Sequence, residues 1–151
     1  MVQDKKTDEL NKLLENAEPE QIDSYIAENS KYMADDKKAF SYYMKDTIQS
    51  KGIFLKDVYS FAGFSESYGE KLINQENHTK DRDYIIRLCV AGHFSWQETS
   101  RALKLYGFND LYAKDPRDVC IMTALNKRLF DFAAIDDILM EHGFKKLSAT
   151  K

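Results

Sequence analysis

The residue pair with the clearest potential for metal chemistry is Cys89 and His93, four positions apart in an apolar segment with the helical period. On one helix, a thiolate and an imidazole at this spacing can both ligate zinc. A zinc site needs three or four ligands, and no second Cys/His pair accompanies this one. The other cysteine, Cys120, is distant in sequence. We therefore expect a buried thiol at Cys89, no metal site and no cofactor.

Acid/base and nucleophilic chemistry are also poorly supported. Asp35-Asp36 and Asp136-Asp137 are adjacent pairs, so on a helix their carboxylates point apart instead of facing one substrate. His78 lies in a polar segment without an identifiable nucleophile beside it. The chain contains neither a phosphate-binding glycine loop nor a Gly-x-Ser-x-Gly motif. Because no nucleophile, base and orienting group can be assembled, we predict that the protein is not an enzyme.

The most informative segment runs from Phe54 to Asn74 and predicts two short helices joined by a tight turn, the plan of a helix-turn-helix. Gly63 can adopt the positive φ that such a turn requires. Ser65 is placed to accept a hydrogen bond from the second helix as its N-cap. Phe64, between them, can tuck beneath the turn. The spacing predicts one core shared with later segments, formed by Val58, Phe64, Leu72, Ile86, Leu103 and Tyr106.

The rest of the chain has the same helical periodicity, and no segment alternates like a half-buried strand. Start and stop signals divide it into eight or nine short helices. Ser95 and Glu98 form a capping box, Gly107 ends that helix, and Asp115-Pro116 opens the next. The fold class predicted is therefore all-α.

Charge is unevenly distributed along the chain. Residues 1–36 contain ten acids and four bases, whereas the remaining 115 residues contain 18 bases and 15 acids. A clear basic face, the usual mark of a nucleic-acid-binding protein, is therefore only weakly indicated. No apolar run approaches the roughly 18 residues needed to cross a bilayer, and the first residues lack the apolar stretch of a signal peptide. We expect a cytoplasmic protein that does not associate with membranes.

Several sequence pieces carry a resemblance to a known group. From about Phe40 to Tyr106 the chain resembles the five-helix Cro/lambda-repressor type of helix-turn-helix domain. It resembles in particular a group of small Firmicutes proteins, over roughly Phe40 to Phe144. The pieces are SYG, TKDRD, ETSRALKLYG, LYAKDPRD and ALN, at 67–69, 79–83, 98–107, 111–118 and 124–126.

The resemblance implies a repressor-like five-helix bundle. Around it we expect an acidic helical extension at 1–36 and a C-terminal helical pair that completes one unit at 37–147, followed by a tail at 148–151.

Two positions depart from the pattern of that family. Tyr59 stands where a small residue is usual, and Gly69 stands where a branched residue is usual. Glycine inside a helix costs roughly 1 kcal/mol relative to alanine. We expect Tyr68 to fill the space of the missing side chain, and we expect either a close approach of the two helices or a second helix not selected to be rigid in a groove.

The family pattern also implies which residues face outwards on the second helix. Ser67 and Asn74 would touch bases, while Lys71, Lys80 and Arg82 would attract phosphates. The implied outward residues of the helix are Ser65, Glu66, Ser67, Glu70, Lys71 and Asn74.

The charge of this face leaves two functions open. Between positions 65 and 82 the sequence holds four acids and three bases, which is unfavourable for a surface that meets phosphates. Our leading hypothesis is a DNA-binding transcriptional regulator whose partner is double-stranded DNA. The alternative is a protein-interaction module, an adaptor or inhibitor, that keeps the fold and does not bind DNA. Either form can be oligomeric.

Overall fold

The structure, a computed structural model, describes residues 7–29 and 38–148. Every regular element within these ranges is helical, which confirms the all-α prediction. The boundary expected between residues 36 and 37 lies outside the described residues. The elements are α1 (Thr7–Glu15), a 3₁₀ turn (Pro19–Gln21), α2 (Ile22–Glu28), α3 (Ala39–Ser50), α4 (Leu55–Phe61), α5 (Glu66–Ile73), α6 (Arg82–Ala91), α7 (Trp96–Tyr106), α8 (Pro116–Asn126) and α9 (Phe132–Glu141).

Local capping explains where several of these helices begin. The Ser95 hydroxyl accepts from the Glu98 amide at 3.1 Å, and the Glu98 carboxylate accepts from the Ser95 amide at 2.9 Å, which confirms the capping box of α7. Gly107 ends α7 with φ of +109°, a conformation that glycine adopts without strain. The N-caps of α6, α8 and α9 are aspartates whose side chains accept hydrogen bonds from amides in the first turn.

One hydrophobic core joins α3 to α9. Val58, Leu72, Ile86 and Leu103 are fully buried in it and Tyr106 is nearly so, while Phe64 packs against it partly exposed. The predicted shared core is therefore confirmed. α6 is its central helix, since eight of its ten residues are buried.

The two N-terminal helices are more exposed. α2 packs against the 3₁₀ turn that Pro19 opens, and the apolar side chains of the pair remain about half exposed to solvent, with values of 49% for Leu13 and 56% for Ile22.

Across residues 7–29 and 38–148, the structure contains no helix that is both long and apolar enough to span a bilayer.

Candidate interaction surface around the second motif helix

The turn between α4 and α5 has the geometry that its sequence predicts. Gly63 has φ of +85°, and Ser65 is the N-cap of α5. The Ser65 hydroxyl accepts a hydrogen bond from the Tyr68 amide at 3.1 Å. The chain can thus reverse direction within a few residues and present the start of α5 at the surface.

Phe64 and Arg87 fasten this turn to the central helix α6. The Phe64 ring lies 5.5 Å from the ring of Tyr68 and 5.2 Å from that of Tyr84, measured between centroids. The Arg87 guanidinium carbon lies 4.3 Å from the Phe64 centroid and 5.0 Å from the Tyr84 centroid. The Nε of Arg87 donates to the carbonyl of Ala62 at 2.9 Å. Ala62 is the C-cap of α4. The turn is therefore held by a cation–π stack as well as by its own hydrogen bonds.

The two unusual residues of the motif compensate one another. A Cβ placed on Gly69 would lie 2.5 Å from Cγ and from Cδ1 of Tyr59, so the tyrosine ring occupies the space that a branched side chain fills in the family pattern. Our expectation that Tyr68 fills this space was wrong, because Tyr68 turns towards Phe64 and Tyr84 instead. The expected close approach of the two helices is confirmed. Burial, reinforced by the charges of Glu70 and Glu66, raises the pKa of Tyr59 to about 12.

Most of the residues predicted to face outwards do so. Asn74 is half-buried at the C-cap of α5, where its carbonyl accepts from the Lys38 ammonium at 2.9 Å. Lys80, in the loop before α6, is exposed. We call the predicted outward residues of α5 and its two caps the outer face. Its members are Ser65, Glu66, Ser67, Glu70, Lys71 and Asn74, and all of them except Asn74 are exposed.

Arg82 has different surroundings from those we expected. Its two Nη atoms bond the two carboxylate oxygens of Asp118 at 2.8 and 2.9 Å, and Nε donates to the carbonyl of Asn109 at 3.1 Å. One Nη also donates to the carbonyl of Asp110 at 2.9 Å. The hydrogen bond to Asp118 raises the pKa of Arg82. Because its donors are engaged in joining α6 to α8, Arg82 does not fit the role of a phosphate contact.

A second ion pair runs in the opposite direction between the same two helices. Arg117 of α8 bonds both carboxylate oxygens of Asp83 at 2.8 and 2.9 Å. Adjacent Arg-Asp pairs at the starts of α6 and α8 therefore exchange partners. The sequence signal was the near repeat of KDRD at 80–83 and KDPRD at 114–118. The pairing of these two segments was not among the predictions from the sequence.

The structure also brings two lysines to the motif that sequence reasoning missed. Residues 145–148, which follow α9, line the same cavity as the α4–α5 turn. Asp136 of α9 fixes this segment, because its carboxylate accepts from the Leu147 amide at 2.8 Å and from the amide and hydroxyl of Ser148. Lys145 and Lys146 are both exposed there. No local pattern connects positions 65 and 145, so only the folded chain reveals their proximity.

Between this segment, the turn and α6 lies an open cavity of about 610 Å³, which we call the turn cleft. Arg87 lies in its wall, and the two lysines lie at its edge. Asp81 and Asp83 also line the cleft. Asp83 is already neutralised by Arg117, and its distance to the Lys145 ammonium is 3.8 Å. The cleft therefore combines three cations with two carboxylates, of which Asp81 lacks an ion-pair partner among the described residues.

Two exposed aromatic residues lie elsewhere on the motif. Phe54, the N-cap of α4, is 70% exposed, and Phe61, its last residue, is 68% exposed. They are seven residues apart and therefore lie on the same side of α4. Large apolar side chains exposed together are characteristic of surfaces that contact another protein.

The possible metal pair is divided between the core and the surface. Cys89 is fully buried, and that burial raises the pKa of its thiol. His93 is exposed and stacks on the ring of Phe130 with 4.6 Å between centroids. Within the described part of the chain, no group of three or more His, Cys, Asp or Glu side chains is arranged to hold a metal ion. The prediction that Cys89 is a core thiol is confirmed.

Comparison of the chain with protein-family models, with curated proteins and with solved structures gave no match.

Proposed function

We propose that the protein is a small DNA-binding transcriptional regulator, acting in the cytoplasm, in which α3 to α7 form a repressor-like bundle and α5 enters the major groove. The observation that carries this proposal is the exposed outer face of α5, with cations from distant segments placed at both of its ends. A helix with a capped, solvent-exposed start, following a tight turn, is the element that such proteins place against base edges.

The folded chain places cations near α5 that do not belong to residues 65–82, so the charge around the helix differs from the charge of that segment alone. Arg82 no longer counts as an available cation, since it is paired with Asp118. Lys145 and Lys146 lie beside the start of α5, where the Lys145 ammonium is 3.8 Å from the Asp83 carboxylate, and the Lys38 ammonium lies at the end of α5, bonded to the Asn74 carbonyl. Glu66 and Glu70 still place two negative charges on the outer face, so attraction to phosphate comes from the ends of the helix and not from its middle.

Specific roles follow for individual side chains. Lys71, Lys80 and Lys146 contact phosphates, while Ser67 and Asn74 contact base edges. A binding selection from a random duplex pool should therefore return a defined sequence. Asn74→Ala should blur the preference for that sequence without abolishing binding.

Matched variants distinguish the loss of a phosphate contact from the general effect of removing an exposed lysine. Lys80→Ala should weaken binding to all sequences alike, whereas Lys104→Ala, an exposed lysine of α7, should leave affinity unchanged. Glu66→Gln and Glu70→Gln should each tighten non-specific binding by removing repulsion. Failure of the selection to enrich any sequence would exclude the regulator.

The alternative is a protein-interaction module, and one specific observation favours it. Phe54 and Phe61 are exposed on α4, and aromatic residues are enriched at the centres of protein interfaces. The acidic residues Glu66 and Glu70 suit a partner that carries basic side chains near an apolar pocket. This function needs no contact with DNA.

Purification of complexes with the wild-type chain and with Phe61→Ser distinguishes the two functions. A partner that is recovered with the wild type, lost with Phe61→Ser and retained with Ser60→Ala would support the module. Retention of DNA binding by Phe61→Ser, with no partner lost, would support the regulator.

A further inference from the structure

We propose that the turn cleft binds a phosphate-type oxyanion. The occupant is either a free phosphorylated small molecule or a phosphate of the DNA backbone, since both present the same chemistry to the cleft. A free small molecule as occupant goes beyond the proposed function, whereas a DNA phosphate as occupant rests on it.

The central observation is the combination of burial and incomplete hydrogen bonding at the guanidinium of Arg87. This residue is only 6% exposed, yet its guanidinium lies in the wall of the cleft. Its Nε is bonded to the carbonyl of Ala62, and no described residue accepts a hydrogen bond from either Nη atom. The Nη atoms are not buried, so although most of the side chain is covered, these two donors are open to the cleft and can bond an acceptor that enters it.

The surroundings keep this guanidinium charged and in position. Burial lowers the pKa of Arg87, but an arginine remains protonated at neutral pH even when its pKa falls somewhat. The rings of Phe64 and Tyr84 stack against it and fix its plane. The planar guanidinium fork suits two oxygens of a phosphate, so the donors are oriented before a ligand arrives.

Other groups around the cleft favour the same ligand. Lys145 and Lys146 add two exposed ammonium groups at its edge, and the Ser65 N-cap places the start of α5 in its wall. The first amides of a helix lack acceptors within the helix and attract anions. Of the two carboxylates lining the cleft, Asp83 is held by Arg117 and lies 3.8 Å from the Lys145 ammonium, and Asp81 accepts from the Asp83 amide at 3.0 Å. Arg87 and Lys146 are the cleft cations without an ion-pair partner among the described residues, against the one carboxylate of Asp81.

The test is a titration of the full chain with inorganic phosphate at constant ionic strength, followed by amide NMR shifts. We expect saturable shifts at the start of α5 and around residues 145–148. Arg87→Lys, which keeps the charge and loses the fork, should weaken binding about tenfold. Lys146→Ala should weaken it about two- to fivefold, and Lys104→Ala should not change it.

Because Arg87 also supports the turn, the melting temperature of each variant is measured, and Lys146→Ala tests the cleft without altering a buried residue. Absence of saturation, or equal weakening by Lys104→Ala and Lys146→Ala, would overturn the proposal.

Addition of duplex DNA then identifies the source of the oxyanion. Displacement of bound phosphate by the duplex would assign the cleft to the DNA backbone, and simultaneous binding would assign it to a free small molecule. Phosphate binding in a chain that does not bind DNA would leave the cleft established and the proposed regulator refuted.

Discussion

Replacement of Gly69 by alanine should destabilise the protein, although the same change in an ordinary helix is stabilising. Alanine gains about 1 kcal/mol over glycine in a helix interior. Here the new methyl group would meet the Tyr59 ring at 2.5 Å, and that ring is 4% exposed and packed between α4 and α5. Overpacking of this kind typically costs about 1–3 kcal/mol. Since the contact is with ring atoms near the backbone, we expect the upper end of that range and a net loss of about 2 kcal/mol.

The sign of this effect should depend on Tyr59. Tyr59→Ala alone removes a buried ring and should cost about 3–5 kcal/mol. With the ring absent, Gly69→Ala meets no obstacle and should stabilise the chain by up to about 1 kcal/mol. The two changes should therefore couple by about 3 kcal/mol, near the top of the range for residues in contact.

Urea denaturation followed by circular dichroism measures all four chains of this cycle. Ser67→Ala, an exposed position in the same helix, is the control for helix propensity and should change stability by only a few tenths of a kcal/mol. If Gly69→Ala stabilised the wild-type chain, or if the coupling were below about 0.5 kcal/mol, the account of Tyr59 filling the place of a side chain at position 69 would be refuted.

Three further predictions concern the core and its ion pairs. Leu72→Ala, at a fully buried site, should cost about 2–5 kcal/mol in urea denaturation, and a loss below about 1 kcal/mol would contradict the proposed packing. The folded pKa of Tyr59 is about 12 against 10.0 for the free group, so its contribution to stability is complete below pH 10 and is lost as pH rises towards 12. Over that interval Tyr59→Phe should lose less stability than the wild type, and parallel losses would exclude Tyr59 as the cause. Asp118→Ala leaves Arg82 unpaired and should cost about 3 kcal/mol, whereas the exposed Asp137→Ala should stay within about 0.5 kcal/mol, and similar losses for both would show that the pair contributes little.

Features determined by neighbouring residues could be predicted from the sequence. The positive φ of Gly63, the Ser65 cap and the Ser95–Glu98 box each depend on a few consecutive positions. The helical period could also be predicted from neighbouring residues, because burial of one helix face repeats every three or four positions. These signals determined the helices and the shared core.

Contacts between distant segments were the ones missed. The pattern marked both Tyr59 and Gly69 as unusual, but their compensation depends on how α4 crosses α5. Arg82 was assigned by its nearness in sequence to α5, whereas its carboxylate partner lies 36 residues further on. The placement of Lys145 and Lys146 depends on a buried aspartate in α9, which no periodicity reveals. The charge of the candidate site therefore could not be obtained from neighbouring residues alone.

The central claim is that the surface around α5 binds DNA through phosphate contacts, and the salt dependence of duplex affinity tests it most directly. With Lys71, Lys80 and Lys146 as contacts, the slope of log K against log salt should be about −3 or slightly shallower. Lys146→Ala should reduce its magnitude by about 1, and Lys104→Ala should leave it unchanged. Affinity weaker than about 10⁻⁴ M at low salt, or a slope near zero, would contradict the account and leave the protein-interaction module as the proposed function.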